Sequence, residues 1–138
     1  MRTVDHDGDR YLLLERATDR SLVRDPETGE TRHLPTDDLT VTDDPPLSTA
    51  AGRVPEPTRR LVAAVHSEPA LGLLVELHER GPLGVRELLE LTGRCESDLH
   101  GLVGDLQAAG VVAETEVDGE RGYRLTDEAR TGLLTLTG

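Results

Sequence analysis

The residues that could do chemistry in this sequence are few and scattered. The only cysteine is Cys95, and the five histidines include His66 and His78, which could bind a metal with a carboxylate such as Glu79. Paired thiols are absent, however, and scattered histidines are more often ordinary surface residues. No nucleophile elbow with Ser, His and Asp, phosphate-cradling glycine loop or HExxH motif occurs. The sequence therefore predicts a protein that is not an enzyme and has no metal site and no cofactor.

Two other features each have a functional and an ordinary interpretation. Cys95 precedes a predicted helix whose amides could stabilise a thiolate for redox sensing, but Glu96 and Asp98 oppose that charge. A small residue in place of a serine cap explains the position equally well. Asp7-Gly8-Asp9 resembles a fragment of a calcium loop whose remainder is missing, so we interpret it as a turn.

Composition bounds the class of protein. Among 138 residues, 27 are Asp or Glu and 15 are cations, all of them Arg, for a net charge of −12. Acids spread along the whole chain predict a hydrated surface adapted to molar salt, as in a haloarchaeal cytoplasm; an ordinary acidic bacterial protein is the alternative. The N-terminus is no signal peptide and no apolar run approaches ~18 residues. We therefore expect a soluble cytoplasmic protein that does not use a membrane.

The first part of the chain has the pattern of short strands. β-like runs recur at intervals of about ten residues between Asp, Gly and Pro, at 11–14, 21–24, 31–34 and 39–41. Residues 1–42 are therefore expected to form a small antiparallel β module, either a meander or a tiny barrel. The proline-rich residues 43–56 predict a linker.

From Pro57 the apolar periodicity becomes helical. The capping and stop signals predict four helices, at 57–66, from Ser67 to Gly81, from Val85 to Gly93, and from Cys95 to Gly110. Two β-like runs, 111–117 and 121–125, flank Asp118-Gly119-Glu120, which is a hairpin signal. Thr126 would cap a last helix that runs through Leu136.

This order of elements, and several residues in it, resemble winged helix-turn-helix regulators. Val85 to Gly93 resembles the first helix and turn of their DNA-binding motif, and residues 94–112 follow without a gap where those proteins have the recognition helix and its exit. Residues 123–129 look like the end of the wing. The resemblance covers about residues 57–138 and is to the MarR and ArsR classes in their haloarchaeal form. It implies an α+β protein in which a C-terminal winged helix-turn-helix domain at 57–138 follows the small antiparallel β module.

The resemblance implies a transcriptional regulator that binds double-stranded DNA as a homodimer. Leu99, Val103 and Leu106 would be buried, and the helix would turn its other side to the major groove. The hairpin arginines would be available for phosphate contacts. The DNA-binding residues expected on this basis are Arg86, Arg94, Glu96, Ser97, His100, Gly101, Arg121 and Arg124.

The expected recognition helix departs from the family in its charge. Residues 94–109 contain one Arg and three acids, whereas DNA readers usually present Arg, Lys, Gln or Asn. In molar salt a regulator gains little from extra cations. The alternative is a winged-helix adaptor that binds a protein and never reads DNA. A neutral or positive strip of arginines would favour DNA, and a uniformly acidic face would favour the adaptor.

A core without Phe or Trp leaves apolar faces that a homodimer could cover. We expect the dimer surface on the last helix or on the first helix of the winged domain. The residues concerned are Leu133, Leu134 and Leu136, or Leu61, Val62 and Val65. The β module would serve in dimerisation, in sensing or in binding a protein partner.

Overall fold

The computed structural model describes all residues from Met1 to Gly138 and divides into two compact units. The N-terminal unit spans Met1–Pro55 and the C-terminal unit spans Glu56–Gly138. None of the helices combines the length and the apolar character needed to cross a membrane.

The N-terminal unit is built on a five-stranded antiparallel sheet. Its strands are β1 (Arg2–His6), β2 (Asp9–Glu15), β3 (Arg20–Arg24), β4 (Thr31–Pro35) and β5 (Thr40–Val41). Their spatial order is β4-β3-β2-β1-β5, so the first strand is flanked by the second and the last. A short 3₁₀ turn, Thr36–Asp38, joins β4 to β5. The four expected β-like runs all lie in or beside these strands, and β1 is a strand that the pattern did not predict.

The turn between β1 and β2 explains why Asp7 and Gly8 stand there. Both have positive φ angles, of 50° and 83°, as the two-residue hairpin turns with the native strand twist require. Gly adopts this conformation without strain and Asp tolerates it. The interpretation of Asp7-Gly8-Asp9 as a turn is thus confirmed.

Both faces of the sheet are covered near its centre. One face carries a core of Val4, Tyr11, Leu13 and Val23. On the opposite face Leu12 is also fully buried. The cover there is a short helix, α1 (Pro46–Ala50), which makes contacts with β1 and β2.

The expected linker at 43–56 therefore differs from what the structure contains. Helix α1 lies inside that segment, and the Thr49 hydroxyl shares a buried hydrogen bond of 2.9 Å with the Thr3 hydroxyl of β1. Proline suits the first turn of a helix, where no backbone donor is lost, so a proline-rich segment can begin a helix as readily as it can form a linker. The division between the units falls after Pro55, and Glu56 already belongs to a helix.

The C-terminal unit contains the helices and the hairpin that the sequence predicts, within a few residues at each end. They are α2 (Glu56–Ala64), α3 (Glu68–Arg80), α4 (Val85–Thr92), α5 (Glu96–Ala108), β7 (Val112–Val117), β8 (Glu120–Leu125) and α6 (Asp127–Thr137). Ser67 caps α3 and Thr126 caps α6, each by accepting a hydrogen bond from a backbone amide in the first turn.

One short strand of this unit was not predicted. β6 (Leu83–Gly84) pairs with β8 and gives a three-stranded sheet in the order β6-β8-β7. The close pairing needs Gly122 opposite Gly84, because a Cβ atom there would lie 2.6 Å from the carbonyl oxygen of Leu83. The sheet and helices enclose one apolar core.

The first and last helices of this unit pack on each other. The Thr58 hydroxyl donates a buried hydrogen bond to the Gly132 carbonyl, at 3.2 Å. Leu61 on α2 and Leu133 on α6 are each 1% exposed. The expected dimer surfaces are therefore corrected in part, since these two leucines lie in the core of the unit itself. Three of the named side chains stay exposed, namely Val62, Leu134 and Leu136.

Candidate nucleic-acid interface

Helices α4 and α5 are joined by a tight three-residue turn that begins at Gly93. Gly93 has φ 63° and ψ 16°, the left-handed conformation that ends a helix, and its amide donates to the Leu89 carbonyl. Gly84 precedes α4, and its amide donates to the Glu87 carboxylate at 3.5 Å. Leu88 is fully buried and holds α4 on the core. Gly93 therefore ends α4 and leaves only a short turn before α5 begins at Glu96.

Helix α5 has one buried and one exposed side. Leu99, Val103 and Leu106 are at most 3% exposed, because their spacing of four and three residues places them on one helix face. The predicted inward set is thus confirmed. The residues of α5 that were expected to face DNA are also exposed, namely Glu96, Ser97, His100 and Gly101.

Cys95 occupies the cap position of α5 but makes no capping hydrogen bond. Its sulfur lies 3.4 Å from the Ser97 hydroxyl, and the side chain is exposed. This is an ordinary polar contact at the start of a helix. Redox sensing stays an untested interpretation.

The hairpin turns through Asp118 and Gly119, whose φ angles are 50° and 81°. Glu120 already belongs to β8, although the sequence pattern placed it in the turn. Successive side chains of a strand point to opposite faces. Arg121 therefore shares a face with buried Tyr123, whereas Arg124 points to the other face.

This alternation separates the two hairpin arginines. Arg121 lines a shallow hollow with Glu96 and His100 of α5. Arg124 instead donates a hydrogen bond to the carbonyl of Leu125 at 3.1 Å. The structure thus brings Arg121 to the exposed side of α5 and does not bring Arg124 there.

The other two arginines of the expected site are exposed. The Arg86 guanidinium, 89% exposed, lies 3.7 Å from the Glu120 carboxylate, a partner that the sequence analysis missed. Glu120 also contacts Gly84, where its carboxylate occupies the space that a Cβ would need. Arg94, on the turn, forms no ion pair, and its amide donates to the Thr92 hydroxyl at 3.4 Å.

The charge of this region is negative overall. Residues 84–125 contain four arginines, no lysine and nine carboxylates, which gives a formal charge of −5. The four arginines do not form a continuous positive strip, because Arg86 pairs with a carboxylate and Arg124 lies on the opposite face of the hairpin. The exposed polar side of α5 thus has one cation, Arg121, beside it, in a region that is acidic overall.

The histidines do not converge on a metal site. No group of three or more His, Cys, Asp or Glu side chains in the chain is arranged to hold a metal ion. His66 is exposed, and the Nδ1 atom of His78 is buried without a hydrogen-bond partner.

Several solved structures have a similar chain trace. The transcriptional regulator HlyU from Vibrio vulnificus CMCP6 matches at 25% identity with a TM-score of 0.49, over 57% of this chain and 82% of that one. Rv1404 from Mycobacterium tuberculosis matches at 22% identity with a TM-score of 0.49, over 66% of each chain. Rv0081 from M. tuberculosis matches at 24% identity with a TM-score of 0.50, over 68% of this chain and 87% of that one.

The likeness to Rv0081 supports a similar fold. Because the two chains are only 24% identical, it supports nothing beyond the fold. No curated protein matches the chain. A family model does match, over residues 1–137, and its description reads "Family of unknown function (DUF7346)".

Proposed function

The chain belongs to this family, DUF7346, and we propose that it is a transcriptional regulator that binds double-stranded DNA through a winged helix-turn-helix. Helix α4, the turn at Gly93, α5 and the hairpin are the parts of that motif. The observation that carries the proposal is the exposed side of α5, where Glu96 and His100 line a hollow together with Arg121 of the hairpin. A helix entering the major groove needs such an uncovered polar side next to a cation for the backbone.

Each residue of the site has a proposed role that its exposure permits. Ser97 and His100 would donate to or accept from base edges, and Glu96 would accept from a cytosine amino group. Gly101 would allow the backbone of α5 to approach the groove. Phosphate contacts would fall to Arg121, which lies beside α5, and to the exposed Arg86 and Arg94.

Arg124 provides the matched control for this proposal. If Arg121 contacts a phosphate, Arg121→Ala should weaken binding to all sequences and lower the slope of log K against log salt by about one charge. Arg124→Ala removes the same charge from the opposite face of the hairpin and should leave that slope unchanged. Binding of the full chain to genomic fragments, measured over a range of KCl concentrations, makes this comparison.

The loss of a base contact should change DNA binding in a different way from the loss of a phosphate contact. Replacing Ser97 or His100 by Ala should alter the preference among sequences, with a loss of about 1–3 kcal/mol of discrimination for each good contact. If the folded chain retains no genomic fragment above background, and neither class of variant alters retention, the DNA-binding proposal is wrong.

The acidity of the region favours a second candidate function, a winged-helix adaptor that binds a protein. A formal charge of −5 over residues 84–125 would repel the phosphate backbone at low salt and would attract a basic partner. For the adaptor, Arg121→Ala and Arg124→Ala should both leave DNA retention at background, while substitutions on α5 release a co-purified protein.

We also propose that the protein is a homodimer. The exposed apolar side chains Val62 on α2 and Leu134 and Leu136 on α6, 45–59% exposed, support a shared surface on these helices. Light scattering in molar KCl tests this, because a mass near the 15.0 kDa of one chain at micromolar concentration would exclude a stable dimer. The N-terminal unit would then serve sensing or a protein partner.

A further inference from the structure

A cavity of about 80 Å³ opens at one end of the N-terminal sheet, on the face that carries the apolar core. Val4 and Leu13 form its inner wall, and Leu39 and Val41 line it from the last strand and the loop before it. Val4 is fully buried, but Val41 is 41% exposed. This volume is far below that of drug-sized sites, so the cavity itself admits only a short branched aliphatic chain.

The hydroxyl groups of Ser21 and Thr36 line the cavity, and each already donates its hydrogen to another oxygen of the protein. The Thr36 hydroxyl donates to the Ala17 carbonyl at 2.7 Å. The 2.7 Å bond between the Ser21 and Thr36 hydroxyls must then have Ser21 as its donor. Ser21 also accepts from the Ala17 amide. Each hydroxyl oxygen has two lone pairs, so these groups can only accept a further hydrogen bond.

Arg16 is the cavity's only cation and is exposed. In the same unit Arg10 and Arg32 each form an ion pair with a carboxylate, but Arg16 forms none. Asp37 shares a neighbouring hollow with Arg16 without coming within ion-pair distance of it. Arg16 is therefore free to bind an anionic group, and guanidinium matches a carboxylate in shape and charge.

We propose that this cavity binds a short branched aliphatic carboxylate whose neighbouring carbon carries a hydrogen-bond donor. The carboxylate meets Arg16, the donor meets the hydroxyl oxygens of Ser21 or Thr36, and the branched chain covers Val41 and the inner wall. A hydroxyl or an ammonium group on the ligand supplies the same donor chemistry. The N-terminal unit would then act as the sensor of this molecule.

Titration calorimetry of the full chain tests the site with four probes: L-valine, 2-hydroxyisovalerate, isovalerate and 3-methyl-1-butanol. L-valine and 2-hydroxyisovalerate should bind most tightly, and the tighter of the two shows whether the ligand's donor is an ammonium or a hydroxyl group. Isovalerate, which has no such donor, should bind more weakly. The alcohol, which has no carboxylate, should not bind. The titration uses the lowest KCl concentration at which the chain is folded, because chloride competes for Arg16. Methyl shifts in the NMR spectrum should change at Val4, Leu13 and Val41.

Variants separate this site from general binding. Arg16→Gln should weaken the tightest probe by about tenfold or more, as expected for loss of a hydrogen bond to a charged group. Arg24→Gln removes the same charge from an arginine of β3 that has no ion pair and lies outside the cavity, and it should leave affinity unchanged. Absence of binding by both donor-bearing probes at ~10 mM, far weaker than a specific site, overturns the proposal, as does equal affinity in Arg16→Gln. The titration contains no DNA, so a lack of ligand binding would overturn the ligand site without bearing on the proposal that the protein binds DNA.

Discussion

Gly132, like Gly122, is needed because another backbone segment lies against it. At Gly132 a Cβ would lie 2.5 Å from the Pro57 carbonyl oxygen and 3.0 Å from the Thr58 nitrogen. These are backbone atoms of α2, which cannot rotate aside as a side chain can. Gly132 therefore sets how closely α6 approaches α2, and the Thr58 hydrogen bond depends on that approach.

We expect Gly132→Ala to destabilise the C-terminal unit by about 1–3 kcal/mol, the usual cost of overpacking. Urea unfolding measures this, with Tyr123 as the reporter in a Tyr11→Phe background, because each unit contains one tyrosine and the chain has no tryptophan. Gly72→Ala is the matched control: its Cβ meets nothing within 4 Å, so it should stabilise α3 by up to about 1 kcal/mol. Equal effects of the two substitutions would contradict the close contact at Gly132.

The sequence predicted the buried and exposed sides of α5 because apolar spacing fixes them directly. The sequence analysis did not predict that Arg121 and Arg124 lie on opposite faces of the hairpin, although residues three apart in a strand point to opposite faces. Glu120 was missed as the partner of Arg86 for another reason. Their contact joins a helix start to a hairpin more than 30 residues later, and no local pattern encodes that distance.

Helix α1, like strands β1 and β6, is an element that the sequence patterns did not predict. It has five residues, too few to be stable alone in water, so its contacts with the sheet must stabilise it. One signal was present: Tyr11, Leu12 and Leu13 are consecutive and all buried, and a strand buried on consecutive positions must be covered on both faces. The unpredicted β6 likewise depends on pairing with β8 and not on its own two residues.

The Thr3–Thr49 hydrogen bond gives a test of how α1 is held. Thr3 is fully buried and its hydroxyl has Thr49 as its one partner, while Thr49 has a second acceptor, the Pro45 carbonyl, at 3.4 Å. Thr49→Val should therefore cost about 1–3 kcal/mol, because it leaves a buried hydroxyl unpaired. Thr3→Val should cost less.

The double variant Thr3→Val, Thr49→Val should recover most of the loss, since both polar groups are removed together. Urea unfolding followed by Tyr11 in a Tyr123→Phe background reports on this unit. A double variant whose loss is the sum of the two single losses would show that the hydroxyls do not interact.

At the scale of the whole molecule, charge is the property that composition fixes most firmly. Acids exceed arginines in both units: residues 1–55 contain 12 acids and seven arginines, and residues 56–138 contain 15 acids and eight arginines. The chain forms six ion pairs between arginine and a carboxylate, with arginine side chains 45–89% exposed. Exposed ion pairs of this kind contribute little to stability. Most of the 27 carboxylates have no arginine partner, so they repel one another. The halophilic source and the cytoplasmic location stay predictions.

This repulsion predicts that the protein becomes more stable as salt rises beyond ordinary physiological concentrations. The Debye length falls from about 10 Å at 0.1 M to about 3 Å at 1 M, so salt screens carboxylates that are not in direct contact. We expect the unfolding temperature of each unit to rise between about 0.1 and 2 M KCl, over the range in which this screening acts. Melts that are flat over this range would contradict the adaptation to salt.

A charge variant separates screening from a general effect of salt on apolar burial. Glu15→Gln, Asp19→Asn and Asp43→Asn remove three exposed acids whose side chains form no ion pair, and the net charge changes from −12 to −9. With Tyr11 as reporter, this triple variant should be more stable than the parent at 0.1 M KCl and should gain less from added salt. The two melting curves should converge near 2 M, where repulsion is screened in both proteins. If the curves instead stay parallel at all concentrations, carboxylate repulsion is not the cause of the salt dependence.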